Sequence, residues 1–377
     1  MGFKTHDPPK TISNSRPKRF QLKLHHLRAA ISDFLCPQSS HGQSHPESDK
    51  LTLLATYLIT GVAGFIGSHL ADALIACGHS VRGFDNLSTG KLANVPADVD
   101  FIEADLADAA AVASACRSVD AILHQGALPS VPRSVKEPRP SHLANIDGTF
   151  NLLEGARAAG VLRVLYAASS SAYGNQPGFP RVETMVPQPI APYPVQKLAG
   201  ELYMQSYARV YGMETVCLRY FNIFGPRQAP DSPYSGVIAK WALNMLRAAN
   251  GEDAEPCILQ GDGEQGRDFT YIANAVSANL LALEAPAENV AGRVFNIACG
   301  ERHSLNDTFR TVAKLTGYTQ PPVHAAARAG DIRNSLADIS AAREAFGYVP
   351  LVSFAEGLAQ TVAWHREQLA PVEHSHA

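Results

Sequence analysis

The sequence has little of what would mark a metalloprotein, a secreted domain or a membrane protein. Its six cysteines in 377 residues, Cys36, Cys77, Cys116, Cys217, Cys257 and Cys299, are scattered with no paired short spacing. A zinc site needs clustered ligands and a disulfide framework needs a shorter, denser chain, so these read as reduced thiols of a cytoplasmic protein, with no metal expected. No apolar run approaches the roughly 18 residues of a membrane span. Net charge is also nearly absent, at −3 with 18% charged residues. Such a balance offers no broad field for nucleic acid or an anionic membrane, and a polyanionic small ligand must instead be held by a few placed cations.

Residues 1–50 also lack a compact apolar segment followed by a small-residue cleavage site, which argues against a signal peptide. They are rich in His, Lys, Arg, Ser and Pro and read as a disordered or loosely packed extension, with Phe20 to Leu35 as one stretch able to form an amphipathic helix.

What is present begins near Leu53. Short apolar runs at Leu54 to Thr60, His79 to Asp85, Val99 to Glu103, Ala121 to His124, Val161 to Ala168 and Thr215 to Tyr220 read as buried strands. Helical patterns separate them at Phe65–Cys77, Ala107–Cys116, Ser141–Ala159 and Gln196–Tyr211. This alternation implies an α/β fold of Rossmann type, a doubly wound parallel sheet covered on both faces. After Phe224 the pattern loosens into helices such as Val237–Ala249 and Asn306–Thr316 among short strands, as expected of a smaller α/β C-terminal lobe. The expected division is 51–220, mainly a dinucleotide-binding domain, and 221–370, mainly a substrate lobe, with the chain crossing back to the sheet.

Gly61-Val-Ala-Gly64-Phe65-Ile66-Gly67 lies between the first strand and the first helix. There Gly61 allows a tight turn, Gly64 allows a phosphate to approach the backbone, and Gly67 allows the helix to pack closely on the sheet. The helix N-terminus then presents free N–H groups to a pyrophosphate. Asp85, 24 residues after Gly61, ends the second strand, where a carboxylate accepts ribose hydroxyls and repels a 2′-phosphate. This points to NAD. Asp105-Leu106 follows the third strand, placed for adenine, with a helix N-cap as the plain alternative for Asp105.

Tyr193-Pro-Val-Gln-Lys197 is a YxxxK at the start of a helix, which puts Tyr193 and Lys197 on one face. A neighbouring ammonium lowers a phenol's pKa, so Tyr193 is expected to act as a general base near neutral pH. Ser169 ends the preceding strand, where its hydroxyl can bridge a substrate oxygen and Tyr193.

The glycine turn, the serine four residues before Tyr173-Gly174, the YxxxK and Arg219-Tyr-Phe-Asn-Ile-Phe-Gly225 together resemble the extended short-chain dehydrogenase/reductase superfamily, from about residue 54 to about 365. Within it the chain looks like the UDP-sugar 4-epimerases, and most like the bacterial branch acting on UDP-N-acetylhexosamines, through Leu128-Pro-Ser-Val-Pro-Arg-Ser134. The resemblance implies a tightly held NAD contacted by Gly61, Gly64, Phe65, Ile66, Gly67, Asp85, Asn86, Asp105, Leu106, Gln125, Ala127, Tyr193, Lys197 and Tyr220. It makes Ser169, Tyr193 and Lys197 catalytic and implies a homodimer built on Ser141–Ala159 and Gln196–Tyr211.

For the substrate it implies Ser130, Arg133, Ser170, Ser171 and Asn222 near the sugar or diphosphate, and Arg267 and Arg328 on the diphosphate. Val237, Lys240 and Trp241 would line a uridine pocket, with ordinary core packing as the alternative for Trp241. Related dehydratases resemble Thr-Asp-Glu at 169–171, and the decarboxylating branch carries Glu at 171. Serines at 170 and 171 therefore favour simple epimerisation. Four residues after Asp331, glucose-restricted relatives carry a bulky Tyr, and here Ser335 leaves room for a 2-acetamido group. Hexuronate forms stay open, with Arg133 or Arg333 as the extra cation, as do another NDP-sugar reductase, decarboxylase or dehydratase and a non-catalytic NAD-binding protein. Gly126 departs from the family's usual alanine.

Overall fold

A computed structural model describes residues 54–230, 236–326 and 333–370. By its contacts the chain divides into Met1–Ser40 and His41–Ala377, and every described residue belongs to the second unit. The amphipathic stretch Phe20 to Leu35, with Arg328 and Asp331, lies outside the described residues.

Seven parallel strands form the main sheet: β1 (Thr56–Thr60), β2 (Ser80–Asp85), β3 (Asp100–Glu103), β4 (Ala121–His124), β5 (Arg163–Ser169), β6 (Glu214–Tyr220) and β7 (Arg293–Ile297). Their order across the sheet is β7-β6-β5-β4-β1-β2-β3. The order reverses between β1 and β4, and in such sheets a crevice opens beyond the carboxyl ends of the strands at that point. The principal helices are α1 (Phe65–Ala76), α2 (Ala109–Ala115), α3 (Val131–Lys136), α4 (Gly148–Ala159), α5 (Pro192–Tyr211), α6 (Val237–Ala249), α7 (Ile272–Glu284), α8 (Leu305–Thr316) and α9 (Phe354–Leu369). The strand interiors are almost wholly buried, with Leu58, Ile59, Ile122, Leu123, Val164 and Leu165 at 0% exposure, as two covered faces require.

Polar contacts fix the switch point. His124, at the end of β4, shares hydrogen bonds with Thr60 Oγ1 (2.7 Å) and Thr149 Oγ1 (3.0 Å), tying β4 to β1 and to α4. Burial, helped by the Lys197 charge, pushes its pKa down to about 3, so the ring is neutral. Asp108, not Asp105, caps α2, its carboxylate accepting from the Ala110 and Ala111 N–H groups. The single helix expected over 141–159 is broken into a short turn at Pro138–His142, a π-helical turn at Leu143–Asp147 and then α4. The π turn turns Asn145 inward, where it accepts from Leu128 N (2.8 Å) and donates to Leu128 O (3.1 Å) and Gln196 Oε1 (2.8 Å).

Helix α1 lies against the glycine turn with no room for a side chain. A Cβ on Gly67 would stand 2.1 Å from the Gly61 carbonyl oxygen, and one on Gly61 would stand 2.7 Å from Gly126 N. Gly67→Ala should therefore cost about 2 kcal/mol of stability, the scale of overpacking against rigid backbone, and abolish NAD binding. Calorimetry with and without NAD checks this, and a variant that keeps both its Tm and its NAD-induced rise would contradict the packing argument.

Candidate active site

One cavity of about 1170 Å³ runs along the carboxyl edge of the sheet. Its wall contains Gly61, Gly64, Phe65, Ile66 and Gly67 of the glycine turn, Asp85, Asn86, Asp105 and Leu106 after β2 and β3, and Gln125 and Ala127 after β4. It also contains Ser130, Arg133, Ser169, Tyr193, Lys197, Tyr220 and Asn222.

The glycine-turn end has the chemistry of a dinucleotide cradle. No side chain caps α1, whose first-turn N–H groups are thus left to a ligand at its positive end. Asp85 accepts from Ala63 N (3.0 Å) and Leu87 N (2.8 Å), and each oxygen keeps a lone pair for a ribose hydroxyl. Burial raises its pKa, and those main-chain bonds oppose the rise only in part. Asn86 donates to Asp105 Oδ2 (2.7 Å), linking the two loops. Gly126 is explained by its neighbours: a Cβ there would lie 2.8 Å from Leu106 Cδ1 and 3.1 Å from Thr60 Oγ1. These groups fit NAD.

At the other end, Ser169 Oγ lies 2.8 Å from Ser171 Oγ and accepts from Ser171 N (3.2 Å). The first turn of α5 is pinned by Tyr193 N donating to Ser134 Oγ (3.0 Å). Burial pushes the Tyr193 phenol up to about 12, against the lowering effect of its bond with Ser169. The expected lowered phenol is therefore corrected for the protein alone, because loss of water outweighs the Ser169 hydrogen bond. Lys197 bears the cost of burial instead: it is 3% exposed and its pKa is pulled down to about 8, with Glu201 opposing the fall. Its ammonium sits 4.8 Å from the centroid of the Tyr166 ring, which Gly200 admits by having no Cβ to strike it. Behind it, Glu201 and Arg219 form a buried ion pair (2.7 Å).

The remaining residues fall into two groups. Asn222, Arg267 and Ser335 are brought together: Asn222 Nδ2 donates to Asp268 O (3.0 Å) and lies 3.4 Å from Ser335 Oγ. Ser335 N donates to Gly266 O (3.0 Å), next to Arg267, whose Nη1 donates to that same carbonyl (2.9 Å). Asp268 holds this corner by accepting from Cys299 N, Gly300 N and Ala337 N, and burial raises its pKa to about 6. Val237 and Lys240 are half-buried on α6 and do not themselves line the cavity, although Gly236, which precedes Val237 at the start of that helix, does. Trp241 belongs to the core: it is 2% exposed, donates to Ile258 O (3.2 Å) and packs edge-on against Phe309. Its place as a uridine contact is thereby corrected, since the amphipathic period of α6 turns it inward with Ile238, Ala242 and Met245.

Several wall residues were not anticipated. Arg227 and Gln228 come from the loop after β6, and Trp364 and Gln368 from α9, far along the chain and in no recognisable pattern. Ser88, Thr89 and Asn94 follow Asp85, where a polar, glycine-containing run after the second strand was a usable signal.

A Rossmann sheet with a glycine cradle and a Ser–Tyr–Lys set on one cavity defines an enzyme of the short-chain dehydrogenase/reductase class. Residues 57–298 match the NAD dependent epimerase/dehydratase family. The chain belongs to that family, and its cofactor is NAD. It is 35% identical to a UDP-glucose 4-epimerase of Mycolicibacterium smegmatis over 318 residues, which cover 82% of this chain and 98% of the relative. Among solved structures, a UDP-glucose 4-epimerase from Thermotoga maritima with UDP-glucose aligns with a TM-score of 0.79 at 38% identity, covering 84% of this chain and 100% of that one. A UDP-N-acetylglucosamine 4-epimerase from Methanobrevibacter ruminantium, in complex with UDP-N-acetylmuramic acid, aligns with a TM-score of 0.77 at 37% identity, covering 84% and 99%. No described helix is long and apolar enough to cross a membrane, no described group of His, Cys, Asp and Glu could hold a metal, and the five described cysteines are free thiols.

If Lys197 must be charged to hold the cofactor's ribose, NAD affinity should weaken as pH rises through about 8, because the buried ammonium loses its proton there rather than near 10.5. Titrations of NAD binding from pH 6.5 to 9.5 check this. Lys197→Met should bind more weakly and without the alkaline limb, whereas a limb retained in that variant would assign it to another group.

Proposed function

We propose that the chain epimerises C4 of a UDP-sugar, with UDP-GlcNAc and UDP-GalNAc as its first substrate pair and UDP-Glc and UDP-Gal as a second. The observation that carries this reading is the corner formed by Asn222 and Ser335. Asn222 lines the cavity and reaches Ser335, a residue small enough to leave space for a 2-acetamido group. Residues 51–220 would mainly hold the cofactor and 221–370 mainly the sugar nucleotide, with Arg267 on the diphosphate and Ser130, Arg133, Ser170 and Ser171 around the sugar. The free thiols fit a cytoplasmic enzyme.

In this reading the Tyr193 oxygen takes the proton of the C4 hydroxyl, relayed or steadied by Ser169, as the C4–H bond breaks and a C4 carbonyl forms. NAD, when bound, would supply the hydride acceptor, and a cation beside the Tyr193 phenol would lower it from about 12. The 4-keto sugar turns over in the cavity, the hydride returns to its other face, and Tyr193 gives the proton back. Ser170 and Ser171 supply no carboxylate beside the reacting centre, so neither elimination of water nor a second proton transfer has its residue. Purified protein given UDP-GlcNAc and no added cofactor should form UDP-GalNAc to equilibrium, as read by chromatography. Ser335→Tyr should lose turnover of the N-acetyl sugars at least tenfold while keeping UDP-Glc, and unchanged N-acetyl turnover would sink the size argument. Arg133 on the cavity wall is what favours a hexuronate instead, and exclusive turnover of UDP-glucuronate would establish that reading.

The reading extends to assembly. Helices α4 and α5 expose Phe150, Leu202, Tyr203, Val210 and Tyr211, the last three at 38%, 66% and 50%. An apolar face of this kind is covered when two copies pair their α4 and α5 helices as a four-helix bundle. Light scattering should give a dimer, and Leu202→Glu with Val210→Glu a monomer. A monomeric wild-type protein would contradict the pairing.

A further inference from the structure

The loop that follows β6 is held in an unfavourable conformation. Asn222 has φ 37° and Arg227 has φ 64°, both in the left-handed region that non-glycine residues avoid. Between them Gly225 has φ 151°, and a Cβ there would strike Ile272 Cγ2 at 2.6 Å. Such backbone persists only where surrounding contacts over-determine it, and it clusters at ligand clamps.

Its first residues are held by pairing of Ile223 and Phe224 with Thr270 and Tyr271 and by the Asn222–Asp268 bond, and two further contacts hold the part that lines the cavity. Gln228 Nε2 donates to Ile223 O (3.1 Å) and closes it on itself. Arg227 Nη1 lies 2.6 Å from Asp72 Oδ2, an ion pair by distance that is not aligned as a hydrogen bond, with both side chains about two-thirds or more covered. Asp72 lies on α1, the helix whose first turn faces the cofactor cradle. His69, one turn before Asp72 on α1, also feels Arg227. Burial, with Arg227 adding to it, holds its ring neutral, with the pKa down to about 4, and it stacks edge-on against Phe65. No second cation therefore competes for Asp72 from that side. Arg227, Gln228, Ala229 and Pro230 line the same cavity as Phe65 and Ile66.

We infer that the Arg227–Asp72 ion pair is a clasp that fastens the loop after β6 onto α1 and slows the departure of NAD. The two partners sit on opposite sides of the central half of the chain, so the pair joins the cradle helix to the segment that enters the C-terminal lobe. Arg227 and Asp72 are positioning residues: they keep the cavity wall closed. The inference rests on NAD being the cofactor and not on the identity of the sugar, so its failure would leave the 4-epimerase reading untouched.

The test is the rate of NAD release from the full-length holoprotein, read by exchange against the fluorescent analogue etheno-NAD. Arg227→Gly removes the cation and relieves the left-handed strain, so it should fold. Asp72→Asn removes the anion on the side away from the cavity. Each should speed release by up to about fivefold, the upper range for a partly exposed pair, and the double variant should release no faster than either single one. Raising salt should speed release from the wild type and not from Asp72→Asn. Arg227→Asp combined with Asp72→Arg should return the rate to within about twofold of wild type. Wild-type rates in both single variants would overturn the inference. Faster release in Arg227→Gly alone would also overturn it, since that result assigns Arg227 a direct contact with the cofactor phosphates.

Discussion

The site depends on how closely α1 approaches the end of β1. Gly67 sits against the Gly61 carbonyl with space for a hydrogen and nothing more, and Gly61 in turn sits against Gly126 at the end of β4. This contact sets where the helix axis points, and so where its uncapped N–H groups converge. It also sets the spacing between the first-strand turn and the loop after β4, which carries Gln125 and leads through Leu128 to Ser130 and α3. From α3, Ser134 holds the first turn of α5, and with it Tyr193. Tyr193 is thus placed by a chain of contacts that begins at a glycine.

A second constraint lies beneath the first. Lys197 is buried with its ammonium over the face of Tyr166, and Glu201, one turn along α5, is buried with it. Burial raises the Glu201 carboxyl, while Arg219 and Lys197 act to keep it ionised. Arg219 lies over Tyr173, whose hydroxyl donates to Asn296 on β7 (2.7 Å). Buried charges of this kind are costly to desolvate and costly to break singly. Their return is positional: they hold one cation at the carboxyl end of the sheet with its protonation poised near pH 8 rather than 10.5.

Much of this was legible in the chain. The strand–turn–helix order around Gly61, the carboxylate at Asp85 and the i, i+4 pair Tyr193–Lys197 each carry their geometry in their spacing, because strand ends and helix faces are local properties. Asn86 with Asp105, and Asn222 with Ser335, meet only through tertiary folding; Asp105 was legible from its place after the third strand, while the family resemblance placed Asn86, Asn222 and Ser335. What escaped was set by context. The break at Leu143–Asp147 exists because Asn145 must reach Leu128 and Gln196, a demand invisible in a helical period. The Tyr193 phenol moves up because water is excluded, and burial cannot be read from a YxxxK. Trp241 faces inward because of the packing of α6 against α8. Trp364, Gln368 and Arg227 reach the cavity from distant segments with no motif to announce them.

In the proposed epimerisation one hydride leaves C4 and returns to the same carbon, held meanwhile within the site. Its most direct test is UDP-GlcNAc labelled with deuterium at C4, incubated with the enzyme in ordinary water and analysed by mass spectrometry and NMR of the separated products. UDP-GalNAc should carry the deuterium at C4 in full. Loss of the label to solvent, or a product lighter by water or carbon dioxide, would contradict it.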